Sequence, residues 1–174
     1  MKNFLVVIVI VSGLYFYLNW KPSTSGIASD IKVDGAIIHK GEKYQSDWGS
    51  VEKVEGFVRR KDRHFDSNMP ILTYDIVFTS GDYNDANLVA ITHNGGGNYS
   101  WRYKNKPTGT IVVYHTVPSS LVAQSKLDGI EQGEWVTIVG KISGNNEIKG
   151  DSGRFVKLLH SNHKFILVQD VIKK

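Results

Sequence analysis

The stretch Thr110–Ile142, TIVVYHTVPSSLVAQSKLDGIEQGEWVTIVGKI, reads as strand, short helix, strand. Ile111 to Val117 is apolar, β-branched and aromatic, and it ends at Pro118, which donates nothing to a sheet ladder and so closes a strand. Ser119 or Ser120 then supplies a helix cap, Leu121, Val122 and Leu127 to Ile130 recur roughly at helical spacing, and Gly129 and Gly133 mark the exit. Glu134 to Ile142 is the second strand. If the Trp135 indole on it is buried, truncation should cost about 3 to 5 kcal/mol.

Working outward, Val51 to Arg60 forms a half-buried strand with a bulge or bend at Gly56. Ile71 to Thr79 alternates Leu72, Tyr74, Ile76, Phe78 against Thr73, Asp75, Val77, Thr79, the pattern of a sheet with one apolar face. Phe165 to Val171 closes the sheet. Strands beginning near Val51, Ile71, Ile111, Glu134 and Phe165, with a helix from Ser119 to Gly129, predict a mainly β protein. Its class is an OB-like (oligonucleotide/oligosaccharide-binding type), partly open antiparallel barrel with one short helix between the third and fourth strands. A plain antiparallel sandwich is the alternative. Ile31 to Ile38 reads as a peripheral strand, Gly41 to Gly49 as a loop, Asp85 to Ala90 as one helical turn, and Arg154 to Leu159 as an added strand.

The composition is that of a globular domain plus an appendage: 174 residues, 41% hydrophobic and 22% charged. A formal charge of +4 argues only weakly for an anionic partner. The absence of cysteine excludes disulfides, thiolate zinc sites and a cysteine nucleophile.

Phe4 to Leu18 is uncharged and continues to Trp20, with Tyr15, Phe16, Tyr17 and Trp20 clustered where an interfacial aromatic belt would lie. The expected organisation is an uncleaved membrane anchor over residues 1–21, a linker over 22–30 and a β-rich domain over 31–174. A cleaved signal peptide is the competing reading. The short N-terminus places the domain outside the cytoplasm, on a single-pass protein of the cytoplasmic membrane.

The order Val54-Glu55-Gly56-Phe57-Val58, Tyr74 to Phe78, Tyr99-Ser100-Trp101-Arg102-Tyr103, His115-Thr116-Val117-Pro118 and Gly133 to Gly140 resembles a family of uncharacterised bacterial membrane-anchored proteins. Those carry EGxV, WYxWRY-like, HxIP and GDxVxLxG segments. The resemblance implies a shared fold and an envelope location, and brings no activity with it.

Candidate chemistry is sparse. Trp101, Arg102, Tyr103 and His115 could line one pocket for a carboxylate, phosphate or sugar, or could be packing residues. Arg59, Arg60, Lys61 and Arg63 form the strongest basic run, which with Trp101 could bind single-stranded nucleic acid; an extracytoplasmic location does not favour that partner. His160 and His163 have a loose metal spacing with no third ligand evident, so neither a metal nor a cofactor is expected. Gly95-Gly96-Gly97 lacks the GxxxxGK[ST] pattern of a phosphate loop and reads as a hairpin tip. No GxSxG elbow or other catalytic grouping is present. The expectation is a non-enzymatic binding protein with a protein or envelope-component partner, held to the membrane by Phe4 to Trp20. The alternatives are a single-stranded nucleic-acid module, and a hydrolase or metal-dependent enzyme centred on His115 or on His160 and His163.

Overall fold

The computed structural model describes residues 30–32 and 36–174. The expected anchor lies outside them. Among the described residues no helix is long and apolar enough to cross a membrane.

The strands are β1 (Asp30–Lys32), β2 (Ala36–His39), β3 (Glu42–Gln45), β4 (Trp48–Arg63), β5 (Tyr74–Thr79), β6 (Val89–Gly95), β7 (Asn98–Tyr103), β8 (Ile111–Pro118), β9 (Trp135–Ser143), β10 (Glu147–Gly150), β11 (Phe155–Lys157) and β12 (His163–Lys173), with helix α1 (Leu121–Asp128) between β8 and β9. Strands β12, β8, β5, β4 and β9 close into a barrel in that order. These are the five strands expected from the sequence, and α1 falls between the third and fourth of them.

Several particulars differ from expectation. The barrel is closed, and β8 pairs with β12 in parallel. Strand β9 runs antiparallel to both β4 and β12, so the last strand returns in the direction of β8. Strand β4 continues to Arg63, which puts the whole basic run on a strand with a register shift between Val58 and Arg60. Gly56 permits a close approach instead of a bulge: a Cβ there would stand 2.8 Å from the Phe78 side chain. The loop expected over 41–49 contains β3, and the helical turn expected at Asp85 falls earlier, as a 3₁₀ turn over Gly81–Asn84.

Helix α1 begins where the hydroxyl of Ser120 accepts from the Ala123 N–H at 3.1 Å, satisfying one of the unpaired donors of the first turn. Ala123 and Leu127 are buried, whereas Leu121 and Val122 are exposed, so only one narrow face of the helix plugs the barrel. Inside, Val58, Ile76, Phe78, Tyr114, Ile138, Ile166 and Val168 pack with Ala123, Leu127 and Ile130. Each such aliphatic or aromatic side chain contributes about 1.5–3 kcal/mol on burial.

Strand alternation sends the other side chains of β5, β8 and β12 outward, and these are buried too. Val117, Phe165 and Leu167 pack against Ile37, Tyr44 and Ile148 of the small sheet β1-β2-β3-β10-β11. Val77, Ile111 and Val113 pack against Tyr99 of the β6–β7 hairpin. The single apolar face expected for the second barrel strand is therefore two, because insertions elsewhere in the chain fold back over its outer side.

Candidate functional site

Between these two outer cores the β5–β8–β12 face carries a polar cluster. Asp75 on β5 and His115 on β8 are direct cross-strand partners. Alternation turns both outward, since their neighbours Ile76 and Tyr114 point into the barrel. His115 Nδ1 and Asp75 Oδ1 are 2.6 Å apart. His64 follows the last residue of β4, and its backbone N–H donates to the Thr73 carbonyl, which draws the ring over Asp75. His64 Nδ1 lies 2.9 Å from each Asp75 carboxylate oxygen. On the far side, His115 Nε2 is 3.0 Å from Nδ1 of His163, the first residue of β12. The ring of His160 stands 5.3 Å from that of His163.

The cluster is sealed. Asp75, His115 and His163 are 0%, 2% and 4% exposed. The glycine tip of the β6–β7 hairpin forms the roof: a Cβ on Gly97 would lie 2.8 Å from His115 Cε1, 3.1 Å from its Nδ1 and 3.2 Å from Asp75 Oδ2. Gly97 also has φ +74°, so the position needs glycine for both conformation and space.

Burial alone would push the Asp75 carboxyl up, but the hydrogen bonds from His115 and His64 outweigh it and hold the group at about 2. His163 moves down to about 4, through burial and then the neighbouring His115 and His160. Asp75 is therefore an ionised acceptor that fixes two rings through their Nδ1 atoms. Beyond it, the buried Nε2 of His64 finds no hydrogen-bond partner. His64, Asp75 and His115 bring one ligand-type atom each within 4.8 Å of one another, the set of described residues best placed to hold a metal ion.

A second polar group adjoins the first. Asp62 accepts two hydrogen bonds from Arg60 and one from the Tyr99 hydroxyl, and the ring of His93 stacks on Tyr99 at 4.9 Å. Burial, followed by the Asp75 and Asp62 charges, raises the Tyr99 phenol far above its ordinary range.

The residues singled out in the sequence are distributed as follows. His115 is central. Trp101 packs against the outer core beneath the hairpin, while Arg102 and Tyr103 are exposed. In the basic run, the Arg59 guanidinium donates to the Val89 carbonyl and Arg60 is bound to Asp62. Lys61 donates to the carbonyls of Asp128 and Ile130 at the end of α1, and Arg63 is exposed above the Phe65 ring. His115 and His163, read separately in the sequence, meet here. His64 and Asp75 carry no distinct sequence signal, because one ends the basic run and the other looks like an outward polar residue of an alternating strand. The β5–β8 register was the signal that pairs Asp75 with His115. No family model matches this chain, and neither does any curated protein or solved structure.

Proposed function

We propose that the chain is a membrane-anchored, extracytoplasmic and non-enzymatic binding protein, built on an OB-type barrel, that docks a protein or envelope component through the exposed segments flanking its covered β5–β8 face. The strand order supports the OB reading, since the first barrel strand neighbours the second and fourth, the third neighbours the fifth, and a helix joins third to fourth. In such barrels the face of the second and third strands, with the loops flanking it, is the usual ligand surface. Architecture alone does not assign a ligand; the residues placed on and beside that face do.

The observation that does so is convergence. The segment after β4 supplies His64, β5 and β8 supply Asp75 and His115, and the segment before and into β12 supplies His160 and His163. Phe65 and Leu159, 80% and 85% exposed, project from the same two flanking segments. Exposed aromatic and aliphatic side chains on the segments that leave β4 and enter β12 are the candidate docking anchors. The nucleic-acid alternative is weakened because three of its four basic residues are engaged within the domain.

A periplasmic-type reporter fused after Lys174 should be active, and one active only in the cytoplasm would defeat the proposed topology. With the intact protein in detergent, a partner should co-purify with the wild type and be lost from Phe65→Ser combined with Leu159→Ser. Retention of the partner by that folded variant would remove the docking assignment.

A further inference from the structure

We infer that His64, Asp75 and His115 form a binding site for one divalent first-row transition-metal ion, held by both Nδ1 atoms and the carboxylate beneath the Gly97 roof. This goes beyond the docking role and stands without it.

The donor chemistry selects the class. Two imidazoles and one carboxylate suit zinc and its first-row neighbours, whereas calcium and magnesium require more oxygen ligands than the cluster offers. The spacing also suits it. Metal–ligand bonds of about 2.0–2.1 Å at tetrahedral angles place neighbouring donor atoms roughly 3.3 Å apart. The Nδ1-to-carboxylate separations here are 2.6 and 2.9 Å, so side-chain shifts of roughly 0.4 to 0.7 Å open the set around an ion. Only glycine at position 97 lets the hairpin close over the set, since a Cβ there would crowd His115 Nδ1 and Asp75 Oδ2.

For His115 the outer partner agrees with coordination through Nδ1. A ligating histidine normally donates its second ring N–H to an acceptor, which fixes the tautomer and raises ligand basicity. His115 Nε2 faces His163 Nδ1 at 3.0 Å. When the ion takes His115 Nδ1, the proton there moves to Nε2, which donates to His163 Nδ1, and the His163 proton passes to its own Nε2, so both rings stay neutral. For His64 the Asp75 carboxylate holds the ring proton on Nδ1 until an ion takes that atom; the proton then moves to Nε2, and the cation–carboxylate contact replaces the lost hydrogen bond. Asp75, which otherwise concentrates one negative charge in a buried site, is neutralised directly by the cation.

The test uses the full-length, tag-free chain in detergent, stripped with a chelator and titrated with Co²⁺. The expected result is one Co²⁺ per chain, with visible ligand-field bands that Zn²⁺ abolishes on displacement. Asp75→Asn and His115→Gln should each weaken Co²⁺ binding at least a hundredfold, while His160→Gln should bind as wild type does. If either ligand variant fails to fold, ring nitrogen spectra of the wild type decide: Zn²⁺ should shift Nδ1 of His64 and His115 but leave His163 without a metal bond. A folded wild type that shows no ligand-field bands overturns the inference, as does unchanged binding by Asp75→Asn, or coordination through His163. Phe65→Ser with Leu159→Ser should retain the metal, so loss of docking and loss of metal are separate outcomes.

Discussion

Asp75 Oδ1 and His115 Nδ1 lie 2.6 Å apart across the β5–β8 ladder, on the covered outer side of the barrel. Metal-free protein depends on this contact, because the carboxylate is also the acceptor for His64. Asp75→Ala removes it and leaves two imidazole N–H groups without partners, at about 1–3 kcal/mol for each buried donor. Asp75→Asn keeps one acceptor oxygen and should cost less than Asp75→Ala. Chemical denaturation in the presence of a chelator measures both, and equal stability of the two variants would show that hydrogen bonding at this position is unimportant.

The roof can be tested separately. Gly95 and Gly97 both have positive φ, +88° and +74°, but an added Cβ meets nothing at Gly95 and strikes His115 at Gly97. Gly95→Ala therefore reports the conformational cost alone, about 1 kcal/mol. Gly97→Ala should cost at least 1 kcal/mol more in the same assay, since the roof must lift or the His115 ring must turn.

The barrel was largely legible in the sequence, and its interior explains why. Ile76, Phe78, Val112 and Tyr114 follow strand alternation, Pro118 closes β8, and Ser120 caps α1, so local chemistry specifies each element. The outer face was not legible. Asp75 looks like a surface residue until Gly97 of the β6–β7 hairpin closes over it, an event not encoded within its own segment. The parallel β8–β12 pairing is likewise a property of chain return, and no pattern inside either strand declares it.

The basic run shows the same dependence on distant partners. Lys61 Nζ donates to two carbonyls at the end of α1 and lies 4.3 Å from the Tyr74 ring centroid. Lys61→Ala should destabilise the domain by about 1–2 kcal/mol, as loss of charge-assisted hydrogen bonds does. Arg63→Glu should change stability by less than about 0.5 kcal/mol, as surface substitutions generally do. Arg63→Glu is accordingly the clean test of anion binding: unchanged single-strand binding at low salt in that variant would set Arg63 aside as a phosphate contact.

Trp135 does not meet the burial condition for a large stability loss. The indole opens β9, is 42% exposed, and meets Phe57 edge-on at a centroid distance of 5.9 Å. Trp135→Ala should cost about 1 kcal/mol, the scale of one aromatic pair with partial burial. Ile138, three residues on and 0% exposed, faces the barrel interior. Ile138→Ala should cost about 2–5 kcal/mol. Thermal melts of the two variants should separate clearly, and a Trp135→Ala loss as large as that of Ile138→Ala would contradict the exposed position.

Acid should weaken the metal-free domain in two windows. His163 sits at about 4 in the fold against an ordinary value near 6.5, so between these values the unfolded chain binds the extra proton. Stability from this residue is complete above about pH 6.5 and falls as the pH drops toward 4. Asp75, held at about 2, adds a second loss as the pH falls below its ordinary value near 3.8. His163→Gln should flatten the upper window and leave the lower one. Denaturant midpoints measured from pH 8 to pH 3 with chelator present give the comparison, and an unchanged slope between pH 6.5 and 4.5 in His163→Gln would exclude His163 as the group responsible.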